Sequence, residues 1–170
     1  MSRERQSRAV RPMHINIGIA DYAVGEGATT LVTIGLGSCV ALALHSRQAK
    51  VGAMAHVLLP NSALSATHNS PGKFASTALP AMLRRMRELG ATDDIEARLV
   101  GGASMFSTLL TPGTVSLGTR NVAAARASCA THSVKIVGEA VGGSFGRSVY
   151  FDVAAGDLVI RSMGMRDVRI

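Results

Sequence analysis

The chain has 170 residues, 47% hydrophobic and 17% charged, a globular balance at the size of one domain that excludes long-range disorder as the main state. No apolar run approaches the ~18 residues of a membrane span, and no apolar stretch follows the basic N-terminus to make a secretory signal, so the expected location is the cytoplasm. The net charge of +7 is divided: Arg3, Arg5, Arg8 and Arg11 against Glu4 put +3 in the first twelve residues, leaving +4 elsewhere; with two Tyr, four Phe and no Trp there is little for bases to stack on, and nucleic acid is not an expected partner.

Residues 1–12 read as a flexible basic arm and residues 13–170 as one domain. Residues 14–21 alternate through Ile15, Ile17 and Ile19 and predict a half-buried strand. Residues 29–33 are β-branched and predict another, ended by a turn at Gly35-Leu36-Gly37. Residues 39–45 and 50–58 are apolar and flank Ser46-Arg47-Gln48-Ala49, which reads as a hairpin. Residues 60–72, rich in Ser, Asn and Pro, predict a surface loop. Residues 74–89 carry a helical stripe of Leu79, Met82, Leu83, Met86 and Leu89, with Pro80 expected to kink or restart the helix and Gly90 to end it. A strand over 95–100 runs into Gly101-Gly102. An Ala-rich helix capped near Thr119 runs to His132, and a strand over 134–141 runs into Gly142-Gly143. Residues 147–153 and 158–161 form a closing hairpin. About seven strands and two helices, with strands gathered at both ends, predict an α+β fold of sheet on sheet with helices on one side.

The hairpin bears on chemistry. With its turn centred on Arg47-Gln48, paired positions sum to 95 and Cys39 faces His56, their Cβ atoms about 4.5–5.5 Å apart. A thiol and an imidazole at that distance form a nucleophile–base pair, and a nearby imidazolium favours the thiolate. Gly35 and Gly37 permit a sharp turn, and backbone N–H groups near Gly37, Ser38 and Cys39 can meet an oxyanion. Thr33 can orient the imidazole through its hydroxyl or carbonyl. The alternative is packing alone: a free Cys is among the most buried residue types, and a strand His is often a satisfied core residue. Cys129, with no His at useful spacing except His132, reads as packing. His14, His45, His68 and His132 show no metal-ligand spacing and read as surface residues. Gly101, Gly102, Ser104 and Phe106 lie in a Gly-rich strand end, read as a tight turn or as a groove where a partner's backbone comes close.

Thr33-Ile34-Gly35-Leu36-Gly37-Ser38-Cys39, followed by Gly52-Ala53-Met54-Ala55-His56-Val57-Leu58-Leu59-Pro60, resembles the CheD family of chemoreceptor glutamine deamidases. The likeness continues through Pro71-Gly72-Lys73-Phe74, Gly101-Gly102-Ala103-Ser104-Met105-Phe106, Gly118-Thr119-Arg120-Asn121, Gly142-Gly143 and Gly146-Arg147-Ser148-Val149. It covers about residues 14–163 and leaves the arm outside. The resemblance implies a protein-glutamine glutaminase that converts glutamines of methyl-accepting chemotaxis receptors to glutamates. It implies Cys39 as nucleophile, His56 as general base and Thr33 as third catalytic residue, with no metal or other cofactor. It also implies a three-layer α/β/β sandwich similar to the catalytic domain of the cytotoxic necrotizing factor toxins. In some bacteria such a protein binds CheC, a phosphatase of the response regulator CheY. A helical, glutamate-rich receptor calls for an open groove, whose expected walls are the 60–72 loop and the Gly-rich strand ends, and the positive charge favours encounter. The alternatives are a non-enzymatic module regulating a CheC-like phosphatase and a cysteine hydrolase of small amides.

Overall fold

A computed structural model describes residues 11–67 and 69–170. The expected arm lies, through residue 10, outside the described residues, as does His68. The described residues form ten strands in two five-stranded sheets and two α-helices. The first sheet is ordered β1 (Met13–Asn16), β3 (Thr29–Leu36), β8 (Arg147–Asp152), β9 (Asp157–Arg161) and β10 (Val168–Arg169). The second is ordered β2 (Tyr22–Glu26), β5 (Val51–Val57), β4 (Val40–Ser46), β6 (Ile95–Gly101) and β7 (Lys135–Val141). Only the pairs β1–β3 and β6–β7 are parallel.

The central pair β4 and β5 sets the layering. Every residue of both strands is buried, so the second sheet is covered on both faces, as their continuous apolar runs require. Val40, Leu42, Leu44, Ala53, Ala55 and Val57 face α1 (Ala75–Glu88) and α2 (Leu117–Thr131) through Leu79, Met82, Val122 and Ala125. On the other face Ala41, Ala43 and Met54 meet Leu31, Val149, Phe151 and Leu158 of the first sheet. Helices, sheet and sheet stack in that order, with a core on each side of the middle layer.

The differences from the expected elements have local causes. The strand expected over 14–21 stops at Asn16; the chain then crosses to the second sheet, turning at Ala20 with φ 65°, and begins β2, which the sequence reading did not foresee. β10 was also not foreseen. Helix α1 runs through Pro80 without a restart, because the carbonyl that Pro80 leaves bare, that of Ser76, lies on an exposed first turn where water reaches it. Gly90 (φ 92°) ends α1 in a Schellman motif, Ala91 N–H to Met86 O and Gly90 N–H to Arg87 O, both at 3.0 Å. Helix α2 is capped by Ser116, three residues before the expected Thr119, whose N–H the Ser116 hydroxyl accepts at 3.1 Å. His45 is buried rather than on the surface: its Nε2 donates to Val153 O at 2.9 Å, and its ring meets Phe151 edge-on at 5.7 Å.

Between the sheets, Phe151 fills the place where Gly52 lacks a side chain. A Cβ on Gly52 would lie 2.8 Å from Phe151 Cε1 and 3.0 Å from Val153 Cγ2. The variant Gly52→Ala is therefore expected to lose about 1–3 kcal/mol by overpacking. Urea denaturation followed by circular dichroism measures it, and an unchanged midpoint would contradict this packing of the sheets.

Candidate active site

One end of the inter-sheet layer gathers the polar groups. Strand β3 enters it through a β-bulge. Thr33 pairs with Val149 and Leu36 with Arg147, so β3 carries one residue more than β8 between these pairs. In a regular strand Thr33 and Leu36 would face opposite ways. The extra residue turns both inward, to 1% and 0% exposure, and leaves Ile34 and Gly35 outside. Gly35 (φ 74°) supplies the left-handed conformation that the bulge needs, whereas Gly37 does not adopt a positive φ.

Across the layer from Thr33 stands His56, fully buried on β5. Thr33 Oγ1 donates to Ile17 O at 2.9 Å and lies 2.7 Å from His56 Nδ1. A hydroxyl has one hydrogen, and here the Ile17 carbonyl takes it. The Thr33 oxygen therefore accepts from Nδ1–H, which fixes the imidazole tautomer and leaves Nε2 with a free lone pair. Nε2 is buried and has no hydrogen-bond partner among the described residues. Burial holds His56 below its ordinary pKa of 6.5, so at neutral pH the ring is uncharged and Nε2 is basic.

Cys39 lies on the same face of the middle sheet. The observed register pairs Val40 with Val57 and Ala41 with His56, so facing numbers sum to 97 rather than the expected 95. The turn is a four-residue loop with Lys50 in the left-handed region (φ 51°), tied by Ser46 and by the Gln48 N–H to the Asp94 carboxylate. A slip of two residues preserves the face. Cys39 is thus a diagonal rather than a direct neighbour of His56, and both point into the inter-sheet layer. Cys39 is 8% exposed; burial raises its thiol pKa above the ordinary 9.0, and its own backbone N–H works against that. No hydrogen bond joins Cys39 and His56 among the described residues. Thiol and imidazole rest neutral on one face of the sheet.

The Gly-rich segments expected to wall a groove have another task. A Cβ on Gly101 would lie 2.4 Å from Cys39 O, and Gly102 N–H donates to that oxygen at 2.8 Å. The backbone that Gly101 and Gly102 admit is that of Cys39 itself. Ala103 N–H holds Gly37 O at 2.8 Å. Ser104 and Phe106, with Ser38, Met105, Leu110 and Gly118, line a cavity of about 230 Å³ beside the turn that precedes Cys39. Phe106 in its lining is 70% exposed, and Leu109, next to the lining residue Leu110, is 80% exposed. The 60–72 loop borders a different cavity, of about 560 Å³; Cys39 and His56 line neither cavity, and of the two only the smaller one includes the neighbouring Ser38.

Two residues without an expected role also meet here. Arg147 is 7% exposed, donates to Gly142 O at 2.8 Å and Gly101 O at 3.3 Å, and stacks on Phe145 at 4.4 Å. It clamps the ends of β6 and β7. Asn121 of α2 is fully buried and donates to the carbonyls of Ser38, just before Cys39, and Leu58, just past β5, which carries His56. Both lie in stretches that carried the resemblance; they bond to main-chain carbonyls, which no residue type marks, so no local signal assigns them. Cys129 is buried within the helix layer, its pKa pushed up to about 11 by burial and then by Glu139. No group of three or more His, Cys, Asp or Glu that could hold a metal occurs among the described residues.

Comparison with known proteins bears on this arrangement. A family model described as CheD chemotactic sensory transduction matches residues 58–162. The chain is 40% identical over 149 residues, 87% of its length and 91% of the relative, to the chemoreceptor glutamine deamidase CheD of Thermotoga maritima. It is 38% identical over 151 residues, 88% of its length and 91% of the relative, to the probable chemoreceptor glutamine deamidase CheD of Desulforamulus reducens. The chain belongs to the CheD family. A similar protein of Pyrococcus abyssi, also a probable chemoreceptor glutamine deamidase CheD, is 38% identical over 150 residues, 88% of this chain and 91% of the relative. The family-model match begins after Thr33, Cys39 and His56; the pairwise matches omit too little of the CheD-family chain to miss these residues.

If Thr33 orients the imidazole, Thr33→Val keeps the shape but strips Nδ1–H of its acceptor. Its kcat should lose a large part of the ~10²–10⁴-fold that a positioned general base supplies, while Thr33→Ser keeps most of it. Steady-state deamidation kinetics measure both, and an unchanged kcat in Thr33→Val would count against the orienting role.

Proposed function

We propose that this chain deamidates glutamine side chains of methyl-accepting chemotaxis receptors, with Cys39 as nucleophile, His56 as base and acid, and Thr33 as orienter. The observation that carries the reading is the bare Nε2 of buried His56, its tautomer set by Thr33, on the face that Cys39 shares. Nε2 takes the thiol proton as Sγ bonds to the glutamine Cδ, and the carbonyl becomes an oxyanion held by backbone N–H groups. The protonated Nε2 gives that proton to the departing nitrogen, which leaves as ammonia while the glutamyl group stays on Sγ as a thioester. His56 then takes a proton from water as it attacks the thioester. Collapse of that intermediate frees the glutamate and returns the proton to Sγ. Water is the only co-reactant.

The small cavity and its exposed apolar rim suit an extended protein surface better than a small amide in an enclosed pocket. The net charge of +7 suits glutamate-rich receptor helices, which lie in the cytoplasm. The α/β/β layering supports a fold like the catalytic domain of the cytotoxic necrotizing factor toxins. A non-enzymatic regulator of a CheC-like phosphatase would have no use for a bare basic nitrogen beside a thiol; that atom favours the enzyme.

The direct test incubates the protein with a recombinant receptor cytoplasmic domain and reads the peptides by mass spectrometry. A gain of about one dalton at particular glutamines, absent with Cys39→Ala, is the amide-to-acid exchange expected of this thiol chemistry. Equal modification by Cys39→Ala would overturn the nucleophile.

The pH dependence follows from the burial of the pair. The acidic limb of kcat/KM is protonation of His56, which removes the base; since burial lowers its pKa, that limb has its midpoint below 6.5. The thiol is raised above 9.0, so the profile stays flat between the two values. A midpoint above 6.5 would contradict the desolvated, neutral imidazole.

A further inference from the structure

We propose that Asn121 is a positioning residue that aims the Cys39 N–H at the oxyanion of the tetrahedral intermediate. The inference rests on the deamidase reading above and deepens it.

Asn121 lies near the start of α2, with no exposed surface. Its Nδ2 donates to Ser38 O at 2.9 Å and to Leu58 O at 3.1 Å. Both partners are carbonyls, which only accept, so the amide is oriented with its NH₂ toward them. One carbonyl belongs to the residue before Cys39 and the other to the strand end two residues past His56. In the β4–β5 register Cys39 stands opposite Leu58, one step beyond the last pair, Val40 with Val57. A side chain from the helix layer thus ties the two strands together where the backbone ladder ends.

The peptide plane converts this clamp into an aim. In a trans peptide the carbonyl and the following N–H point opposite ways, and no peptide in the described chain is cis. Anchoring Ser38 O on Asn121 therefore turns the Cys39 N–H away from α2. No backbone carbonyl among the described residues takes that N–H. It lies against its own sulfur, where it opposes the larger upward push of burial on the thiol. The next peptide is fixed as well, since Cys39 O accepts from Gly102 N–H at 2.8 Å. A free N–H held beside the attacking sulfur is placed for the oxygen of the carbonyl that the sulfur attacks.

The other half of the amide supports this reading. Asn121 Oδ1 is buried with no partner among the described residues. An apolar residue of similar size would fill the site without that cost. What it could not supply is the pair of N–H donors.

The test separates attack from oxyanion stabilisation. Deamidation of a receptor cytoplasmic domain builds an oxyanion, whereas alkylation of Cys39 by iodoacetamide needs the thiolate but no oxyanion. Asn121→Ala in the full chain is expected to lose about 100-fold in kcat, the scale of one oxyanion donor, with KM changed little. Alkylation at Cys39, followed by peptide mapping to exclude Cys129, should keep its rate within about twofold, because the thiol and His56 remain. Equal losses in both assays would make Asn121 a structural residue only, and an unchanged kcat would remove it from the reaction; either overturns the proposal. Should Asn121→Ala not fold, the isosteric Asn121→Asp, which removes both donors, goes through the same assays. Failure of both variants to fold would also assign a structural role and overturn the proposal. Cys39→Ala is the control: if it still deamidates, the deamidase mechanism itself fails, whereas an inactive Cys39→Ala beside a fully active Asn121→Ala defeats this inference alone.

Discussion

One hydrogen bond, from His56 Nδ1–H to Thr33 Oγ1, joins the two sheets at the site. It depends on three separate facts of the fold. A bulge must turn Thr33 inward, the crossing segment must bring Ile17 O to take the hydroxyl hydrogen, and His56 must stand on the sheet-facing side of β5. The crossing segment also holds the His56 backbone, through Ala20 N–H to His56 O and His56 N–H to Asp21 O, each at 2.9 Å. One short stretch of chain therefore fixes His56 at its ring, by way of Thr33, and at its main chain. The rest of the site is arranged around an imidazole that cannot turn.

Burial makes this set work with neutral partners. Both cysteines are buried and both thiols are raised, so acidity alone does not separate Cys39 from Cys129. Surroundings do. Cys129 is enclosed between α2 and the sheet among apolar side chains, while Cys39 ends a turn at the mouth of the inter-sheet layer with a bare imidazole nitrogen on its face. In the proposed reaction the thiolate forms only as the proton moves to His56 and exists only while substrate is being attacked. Such a thiol is less open to chance oxidation than one ionised at rest.

Much of this arrangement was legible in the sequence because strand periodicity is robust to small errors. The hairpin register was off by two, since the loop leans on Asp94, 48 residues from Ser46, and nothing near the turn announces that partner. An even slip leaves every side chain on its own face, so Cys39 and His56 remained together where a slip of one would have parted them. Tyr22–Glu26 was missed because it is an edge strand, one of its five residues buried, with Gly25 in place of a packing side chain. Asn121 and Arg147 were illegible for a different reason. Each acts on main-chain carbonyls, and a carbonyl has no letter in the sequence. Gly101 and Gly102 were marked for close approach, but only the fold shows that the approaching backbone is that of Cys39.

The bulge in β3 has a consequence for how such a chain can vary over generations. Loss of one residue between Thr33 and Leu36 would restore an even pleat and send either the threonine or the leucine to solvent. Gain of one would break the phase in the same way. Insertions and deletions are thus barred from this stretch by parity, whatever residue is involved. Length is free to drift in the exposed run after Ala103, where no pleat keeps count. The fold thereby separates an inheritance of fixed spacing, which keeps the chemistry, from one of variable length, which can follow a changing target.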